Sequence, residues 1–386
     1  MRRSIGRDEI VDVVRRIVSP PTAPYHEFAV LDAIRAELER HAISTTTDAF
    51  GQVHAHVTRG SSKRALAFAA HTDHPAFEIT QASGREGRVR VLGGFRQRVF
   101  PSEVAVTVHD DLGAPPIRAR LDEPQTVVDP IHNSSEICRI RAEGTLREGQ
   151  FAVLDIPAIE MDGDELRLRA ADDLAGCALI VCALIALAED ERPHDVYAVF
   201  TRAEETGLYG ARLAAEEGLI PREAYVVSVE ASRALPSAEA GKGIVIRAGD
   251  LHNTFSNEAE RYLRVARERV AEDGIPTQRA LLTGGTCEAS AFVRLGWTAT
   301  GMALPNANYH NAAPEGGFAP EIVRISDIAS GIALAAEAAV AAAEDASETW
   351  WPDVRTVPRQ IRELLRRPRA TSPRSSSPAA PRNERT

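Results

Sequence analysis

Hydrophobic and polar positions follow two different periods along the first part of the chain. Apolar residues recur at helical spacing over residues 8–18 and 26–41, which predicts two helices separated by a proline-rich turn. Residues 52–58 and 64–70 are short apolar segments that predict strands. The second is apolar almost throughout, as expected for a strand that is covered on both faces.

The pattern changes between residues 78 and 164. Short alternating segments at residues 88–91, 104–108, 117–121 and 151–156 are separated by Gly, Pro and Asp, and helical periodicity is missing. This texture predicts a small β domain of barrel or sandwich type. Because helices and strands alternate again afterwards, we predict an insertion that divides a catalytic domain into residues 1–77 and 165–350.

The second part of the catalytic domain alternates helices with short apolar strands. Helices are predicted at residues 173–188, 207–217, 257–272 and 320–343, and strands at residues 195–202, 224–229, 279–283 and 298–303. The predicted fold is therefore α/β, a mixed and mostly parallel sheet flanked by helices, with an inserted small β-barrel-like domain. Residues 351–386 are rich in Arg, Pro and Ser and predict a disordered basic tail with one short helix near residues 360–366.

The net charge and the cysteine spacing argue against a nucleic-acid-binding protein and against a protein held together by disulfides. The net charge of −10 over 386 residues argues against a nucleic-acid partner. Cys138, Cys177, Cys182 and Cys287 form no CxxC pair and indicate idle thiols in a reducing compartment. The first residues mix charges into a helical pattern without an apolar signal region, and the longest apolar segment, 175–188, is too short to cross a bilayer. We therefore expect a cytoplasmic protein with no membrane partner.

Acidic and imidazole side chains follow the predicted strands, at the edge where open α/β sheets bind ligands. A structural histidine or a helix N-cap explains some of them one at a time. Paired glutamates are harder to explain, because two adjacent carboxylates repel each other unless a cation lies nearby. The side chains in question are His71, Asp73, Asp172, Asp173, Glu204, Glu205, Glu230 and His310.

Taken together, these side chains form a donor set for two cations. Two imidazoles and three carboxylates are hard nitrogen and oxygen ligands that suit Zn²⁺ or Co²⁺. Asp172, Glu205 and Glu230 contribute −3 against the +4 of two divalent ions, and a hydroxide balances the remainder. Asp73 lies two residues from His71 in extended chain, where its carboxylate can orient the imidazole.

The order of these motifs resembles the tetrahedral and glutamyl aminopeptidases, a family of cytosolic di-zinc metallopeptidases. The family pattern is His-x-Asp, an inserted β domain, Asp-Asp-x-x-Gly, Glu-Glu-x-Gly, a strand ending in an acid, and a late His. This chain has the corresponding residues at 71–73, 172–176, 204–207, 230 and 310. Residues 91–95, Val-Leu-Gly-Gly-Phe, also resemble the family's entry into the β domain.

The resemblance implies a metal-dependent aminopeptidase that hydrolyses N-terminal residues from peptides. It implies two divalent metal ions, with zinc as the first expectation and cobalt or manganese as alternatives, and a homo-oligomeric assembly. Glu204 would act as the general base toward the water that the ions activate. The implied ligands are Asp172 as the bridge, His71 and Glu230 at one ion, and Glu205 and His310 at the other.

Three departures from the family pattern concern specificity rather than the ligand set. Glu230 stands where family members usually have Asp, and His74 follows the first motif where the family prefers Glu. Cys287 replaces the Asp of a late Gly-Thr-Asp loop. Other functions remain open: a related di-zinc deacylase, dipeptidase or carboxypeptidase, or a non-catalytic binding protein. The carboxypeptidase alternative needs a cation for the substrate carboxylate, for which the candidates are Arg96, Arg98 and Arg279.

Overall fold

The computed structural model describes residues 5–95, 100–122, 124–127, 135–347 and 356–366. The helices are α1 (Arg7–Val18), α2 (Phe28–Arg40), α3 (Leu174–Ala188), α4 (Tyr209–Glu216), α5 (Asn257–Glu272), α6 (Glu288–Arg294), α7 (Ile325–Glu344) and α8 (Arg359–Leu365). The strands of the first half are β1 (Thr45–Thr47), β2 (Val53–Arg59), β3 (Leu66–His71), β4 (Ala76–Ser83), β5 (Glu86–Leu92), β6 (Glu103–His109), β7 (Ile117–Asp122), β8 (Gln125–Val127) and β9 (Ser135–Ala142). The remaining strands are β10 (Phe151–Leu154), β11 (Ile159–Asp162), β12 (Glu165–Leu168), β13 (His194–Thr201), β14 (Tyr225–Arg233), β15 (Ile244–Gly249), β16 (Thr277–Leu281), β17 (Ala299–Asn306) and β18 (Glu321–Arg324).

The main sheet has four parallel strands at its centre. Its order is β1-β2-β13-β3-β14-β17-β15-β16, and β13, β3, β14 and β17 pair in parallel. β2 and β15 flank this centre in antiparallel pairings. Every residue of β3 is buried, as expected for a parallel strand with helices on both faces. The carboxyl ends of the four parallel strands therefore meet at one edge of the sheet.

Two apolar helices fill the core beneath this sheet. α3 is buried on all sides, because it packs against the sheet, α1 and α7. α7 is long and apolar enough to span a membrane by length and composition, but 89% of its most apolar window is buried inside the fold. In this fold α7 is thus a core helix, packed on α3 and α5.

The inserted β segment closes into a barrel of six strands. Its order is β5-β4-β10-β6-β7-β9, the pairing of β5 with β9 closes the circle, and β8 is added at the edge of β9. A cluster of stacked and edge-to-face phenylalanines fills one end of the barrel, with Phe318 from the catalytic part packed on Phe95 and Phe100 at centroid distances of 5.4 and 5.3 Å. β4 begins only five residues after His71, so the barrel lies beside the carboxyl edge of the main sheet.

The α/β class with an inserted barrel is confirmed, while several element predictions need correction. β15 and α6 were not predicted. The predicted helix 320–343 begins with a strand instead, because β18 pairs with β12 before α7 starts. β14 continues four residues beyond the predicted end because β17 supports it as far as Arg233. The domain boundaries stay a prediction.

The C-terminal residues after Glu348 form a separate unit. Its described part contains α8, which coincides with the short helix predicted near residues 360–366. The predicted disorder of the remaining tail lies outside the described residues.

Candidate metal centre

The carboxyl edge of the main sheet brings together all five predicted ligands. His71 ends β3, Glu205 follows β13, and His310 lies in a short 3₁₀ turn after β17. Glu230 lies inside β14, beyond the last residue that pairs with β3, so its side chain reaches the open edge. Asp172 lies two residues before the start of α3.

Their donor atoms form two overlapping triads. One contains His71, Asp172 and Glu230, and the other contains Asp172, Glu205 and His310; within each triad one donor atom per residue lies within 4.8 Å of the others. Asp172 is shared. The predicted grouping, with Asp172 between two sites, is therefore the spatial grouping in the structure. A further triad adds Glu204 to His71 and Glu205.

The imidazole ring of His71 directs the lone pair of its Nε2 atom toward the carboxylate of Asp172. Its Nδ1 lies 3.1 Å from the carbonyl oxygen of Asp73, an atom that only accepts, so Nδ1–H donates to it. Nε2 then carries the lone pair and lies 3.2 Å from Oδ1 of Asp172. Two lone pairs this close are favourable only when a cation or a proton lies between them.

His310 repeats this arrangement at the other triad. Its Nδ1 donates to the carbonyl oxygen of Gly94, in the loop after β5, at 2.7 Å. Its Nε2 lies 3.3 Å from Oδ2 of Asp172 and 3.2 Å from Oε1 of Glu205. The barrel therefore orients one of the predicted ligands, through the Gly-Gly segment that the sequence marked as the entry to the β domain.

Donor atoms without a hydrogen-bond partner test whether the five residues fit metal ions. In the part of the chain that the structure describes, each of the five has one buried polar atom that makes no hydrogen bond. Such orphaned atoms are rare in folded proteins and are expected where a cation is bound. They are Nε2 of His71, Oδ1 of Asp172, Oε1 of Glu205, Oε2 of Glu230 and Nε2 of His310. The residues present thus fit divalent cations.

Asp73 has a different contact from the predicted one. Its carboxylate lies 3.6 Å from Nδ1 of His71, too far for a good hydrogen bond, and its carbonyl oxygen orients the ring instead. The two carboxylate oxygens accept the backbone N–H groups of Glu204 and Glu205, each at 3.0 Å. Asp73 therefore holds the paired glutamates in place, and one buried residue serves two elements of the site.

Asp173 does not cap α3 with its side chain, although it occupies the N-cap position. Its Oδ1 accepts the backbone N–H of Ala231 at 2.9 Å, which connects the start of α3 to β14 next to Glu230. The capping explanation that the sequence left open for Asp173 is thus not what the side chain does. The peptide bond between Asp172 and Asp173 is cis.

The concentration of buried acids raises several carboxyl pKa values. Burial raises the pKa of Glu204 well above its usual value, and the charges of Glu230 and Glu205 add to this effect, while His71 opposes it. Burial, together with Asp172, raises the pKa of Glu230 to about 8. For Asp172 burial acts in the same direction, but the adjacent imidazoles of His310 and His71 outweigh it and lower its pKa below the usual range. Contact with the two imidazoles therefore distinguishes Asp172 from the two glutamates.

Several residues at the site were missed by the sequence reasoning. Glu321 and Glu288 are completely buried carboxylates near the ligands, and Arg247 is a buried cation beside Glu230. Glu27 accepts hydrogen bonds from Arg202 and from the backbone N–H of Ala203, just before the paired glutamates. The available signal was an acid or a cation within an apolar segment, and Glu321 was instead assigned to the first turn of a predicted helix.

The arginines considered for a carboxypeptidase do not lie at the ligands. Nε of Arg279 donates to Oε1 of Glu260 on α5 at 2.7 Å, and Arg279 is in β16 at the sheet edge farthest from β13. Arg96 and Arg98 lie outside the described residues. Cys287 is the residue before α6, and its backbone N–H donates to Oδ2 of Asp250 at 3.2 Å. Burial raises the pKa of the Cys287 thiol to about 12.

Known structures share this fold. An aminopeptidase of the archaeon Desulfurococcus kamchatkensis superposes with a TM-score of 0.70 at 22% identity, covering 91% of this chain and 99% of its own. The TET1 peptidase of Pyrococcus horikoshii, which can assemble into a tetrahedron or a large octahedral shell, has a TM-score of 0.69 at 21% identity, covering 86% of this chain and 99% of its own. At this identity the likeness shows the fold.

Sequence comparison identifies the family. A curated protein of Acetivibrio thermocellus, provisionally named an aminopeptidase, is 28% identical over 185 residues, which is 46% of this chain; the match spans about half, 52%, of that relative's length. The model of the M42 glutamyl aminopeptidase family matches residues 51–332, well over half of the chain. The predicted resemblance is confirmed, and the chain belongs to the M42 glutamyl aminopeptidase family, whose members are metal-dependent peptidases.

Proposed function

We propose that this protein is an aminopeptidase that uses two divalent metal ions to remove N-terminal residues from peptides. One observation carries the proposal: five side chains, each with a buried donor atom that has no hydrogen-bond partner among the described residues, form two triads that share Asp172. Membership in an aminopeptidase family and the name of the Acetivibrio thermocellus relative support the same activity.

The two ions would be held by nitrogen and oxygen donors only. His71, Asp172 and Glu230 would hold one, and Asp172, Glu205 and His310 the other. This donor set suits zinc, with cobalt or manganese as alternatives. When bound, such ions act as Lewis acids that polarise a peptide carbonyl and make water more acidic.

Glu204 would be the general base. It is not a member of either shared triad, it is buried, and Oε2 lies 4.0 Å from Nε2 of His71, beside the ligands. Its carboxylate would take a proton from the attacking water as the new C–O bond forms, and would return that proton to the departing amine as the C–N bond breaks. Positive charge at the triads offsets the repulsion from Glu205 and Glu230, which favours the ionised form that a base requires.

A free N-terminus would supply a further ligand to the site. The α-amino nitrogen of the substrate has a lone pair that would bind at one of the two ions, beside the carboxylate of Glu204. An acylated N-terminus offers only a non-basic amide nitrogen. We therefore expect cleavage next to a free amino group, which favours an aminopeptidase over a deacylase.

A cationic pocket beside Glu230 would receive the first side chain. Arg247 lies there with Nη1 donating to Oγ of Ser232 at 2.9 Å, while its buried Nε has no hydrogen-bond partner among the described residues. Arg233 lines the same pocket, which measures only about 10 Å³. This volume holds about one water molecule and does not select a side chain by shape. The charges of Arg247 and Arg233 favour an acidic side chain, and we expect aspartate to be preferred over leucine.

A larger cavity on the other side of the ligands would receive the rest of the peptide. It measures about 430 Å³, extends from Glu205 and Thr206 to Arg90 on the barrel, and is bordered by Tyr25. The hydroxyl of Tyr25 donates to Oγ1 of Thr206 at 3.1 Å, directly after the paired glutamates. The position of this cavity beside Glu205 supports a peptide, rather than a single amino acid, as the substrate.

Assembly and location are part of the proposal. The Pyrococcus horikoshii peptidase forms closed shells, and another structure of this fold is a dodecamer. We propose that this chain also forms a homo-oligomer, in the cytoplasm. Analytical ultracentrifugation of the full chain tests the first part, and a sedimentation coefficient of a monomer at micromolar concentration would contradict it.

Metal analysis with a substrate panel tests the activity. We expect two equivalents of metal per chain and hydrolysis of free aminoacyl anilides but not of their N-acetyl forms. The Glu204→Gln variant should retain both equivalents of metal, while its turnover number falls by a factor of about 10²–10⁴. The Glu205→Gln variant should lose metal. Turnover of blocked substrates, or of Glu204→Gln at the wild-type rate, would contradict the proposal.

A further inference from the structure

Glu321, the first residue of β18, is a buried carboxylate that is not one of the ligands. Four N–H groups converge on its two oxygens, which is the most that a carboxylate with about four lone-pair sites accepts. The donors to Oε2 are the backbone N–H groups of Ala171 at 2.6 Å and Asp172 at 3.0 Å. The donors to Oε1 are the backbone N–H of His310 at 2.8 Å and Nδ2 of Asn306 at 3.0 Å.

One carboxylate thus connects two ligands that are 138 residues apart in the chain. Asp172 belongs to the segment before α3, and His310 belongs to a turn in which it has a positive φ of 54°. Neither segment is held by sheet pairing at these residues, and a non-glycine residue with positive φ needs support from its surroundings. The two oxygens of Glu321 provide that support on both sides at once.

His74 contacts the same two segments through its two ring nitrogens. Its Nδ1 donates to the carbonyl oxygen of Asp172 at 2.5 Å, and its Nε2 lies 3.0 Å from Oδ1 of Asn311, the neighbour of His310. The amide nitrogen of Asn311 donates to the carbonyl oxygens of Arg169 and Ala319, so its oxygen faces Nε2 of His74 and accepts a hydrogen bond from the imidazole that is protonated on both nitrogens. Nε2 of His74 also lies 4.0 Å from Oε2 of Glu321.

We propose that Glu321 and His74 form a positioning pair that sets the distance between Asp172 and His310 and thereby determines the affinity of the second cation site. The proposal rests on the proposed two-cation function. The first site depends less on this pair, because His71 and Glu230 are held by paired strands. Loss of the pair should therefore weaken the site of Asp172, Glu205 and His310 most, because two of its ligands contact the pair, whereas the first site has only Asp172 in common with it.

The Glu321→Gln variant tests this inference through metal binding rather than activity. The amide has one oxygen, so its NH₂ group must face either the Ala171–Asp172 donors or the His310–Asn306 donors, and one ligand loses its anchor. We expect the affinity for the second cation to fall about tenfold or more, and the affinity for the first, which depends on the pair only through Asp172, to fall by a smaller factor. Chelator-treated protein would be titrated with Co²⁺ and followed by visible absorbance, with Zn²⁺ content measured after gel filtration.

A matched control is available on α7. Glu337 is likewise a buried glutamate, but it accepts hydrogen bonds from Arg192 and Arg269 away from the site. Glu337→Gln should bind two cations with wild-type affinities. If Glu321→Gln does not fold, His74→Gln provides the second variant, with the same selective loss expected.

The outcomes separate this inference from the proposed function. A wild-type chain that binds fewer than two cations would overturn both. A wild type that binds two cations, with Glu321→Gln and His74→Gln binding both ions as tightly, would overturn the positioning pair alone. Equal weakening of both sites, or an equal loss in Glu337→Gln, would also overturn it, because the effect would then be general destabilisation.

Discussion

The carboxylate of Asp73 accepts the backbone N–H of Glu204 at 3.0 Å. Its second oxygen accepts the N–H of Glu205 at the same distance, and its carbonyl oxygen accepts Nδ1–H of His71. Asp73 thereby aligns the proposed base with two of the proposed ligands. Groups that orient metal ligands typically change metal affinity or activity tenfold to a hundredfold when they are altered.

Asp73→Asn should lower kcat/KM by about 10–100-fold, because the amide NH₂ cannot accept the N–H group that it faces. Asp327→Asn is the matched control: Asp327 is also buried and accepts two backbone N–H groups, from Gly241 and Gly243, but it lies away from the ligands. The Asp327→Asn variant should have a lower free energy of unfolding, but the kcat/KM of its folded molecules should equal that of the wild type. Equal kinetic losses in the two variants would show that Asp73 is only structural.

Gly93 should be intolerant of alanine for two separable reasons. Its φ is +83°, and a Cβ would lie 3.1 Å from Cβ of Glu205 and 3.2 Å from Cα of Pro75. Gly149 has a similar φ of +80° with nothing near its Cβ position. Both alanine variants should lose about 1–2 kcal/mol of unfolding free energy from the left-handed backbone.

Only Gly93→Ala should also lower kcat/KM, by about 10–100-fold, because it displaces Glu205, a proposed ligand. Urea denaturation and steady-state kinetics measure the two effects. An equally active Gly93→Ala would mean that the loop after β5 moves aside without disturbing Glu205.

Glu288 should make the metal-free protein less stable as the pH rises. Burial raises the pKa of Glu288 from 4.5 to about 7, and Oε2 has no hydrogen-bond partner among the described residues. Below pH 4.5 the Glu288 carboxyl is protonated in both the folded and the unfolded chain, so its burial does not make the free energy of unfolding depend on pH there. Between pH 4.5 and 7 only the unfolded chain releases the proton, so about 3 kcal/mol of unfolding free energy is lost.

Comparison with Glu288→Gln isolates this contribution, because the amide does not titrate. The two chelator-treated proteins should differ little at pH 5, and the variant should be more stable by a few kcal/mol at pH 8. Chemical denaturation at several pH values provides the measurement. A constant difference between pH 5 and pH 8 would show that Glu288 is ionised in the fold.

Arg247→Met should change the choice of substrate. Arg247 is a cation in the pocket beside Glu230, and methionine retains much of its length without the charge. The ratio of kcat/KM for aspartyl over leucyl anilide should fall at least about tenfold. Because the ratio is taken within one variant, changes in metal affinity cancel.

Arg279→Met is the matched control, since Arg279 is likewise a cation near a glutamate, Glu260, but lies at the far edge of the sheet. The ratio of kcat/KM for aspartyl over leucyl anilide should be the same in Arg279→Met as in the wild type. A wild type that prefers leucyl anilide would contradict the acidic pocket itself.

Local chemistry in the sequence predicted many of the elements and the candidate ligands. The continuous apolar residues before His71 predict a buried strand, and the paired acids at Glu204 and Glu205 predict a cation, because nothing else offsets their repulsion. Motif order then identified the family, since each motif follows a strand. These inferences succeed because period and local charge are properties of a few consecutive residues.

Relationships between distant segments were decided by tertiary structure alone. The sequence places Asp73 beside His71, but the fold directs its carboxylate to the N–H groups of Glu204 and Glu205. The sequence pattern predicts a helix at Glu321, but the pairing of β18 with β12 makes Glu321 a strand residue that faces Asp172 and His310. Which strands become neighbours depends on non-local pairing and on burial of the whole core, and no window of consecutive residues encodes it.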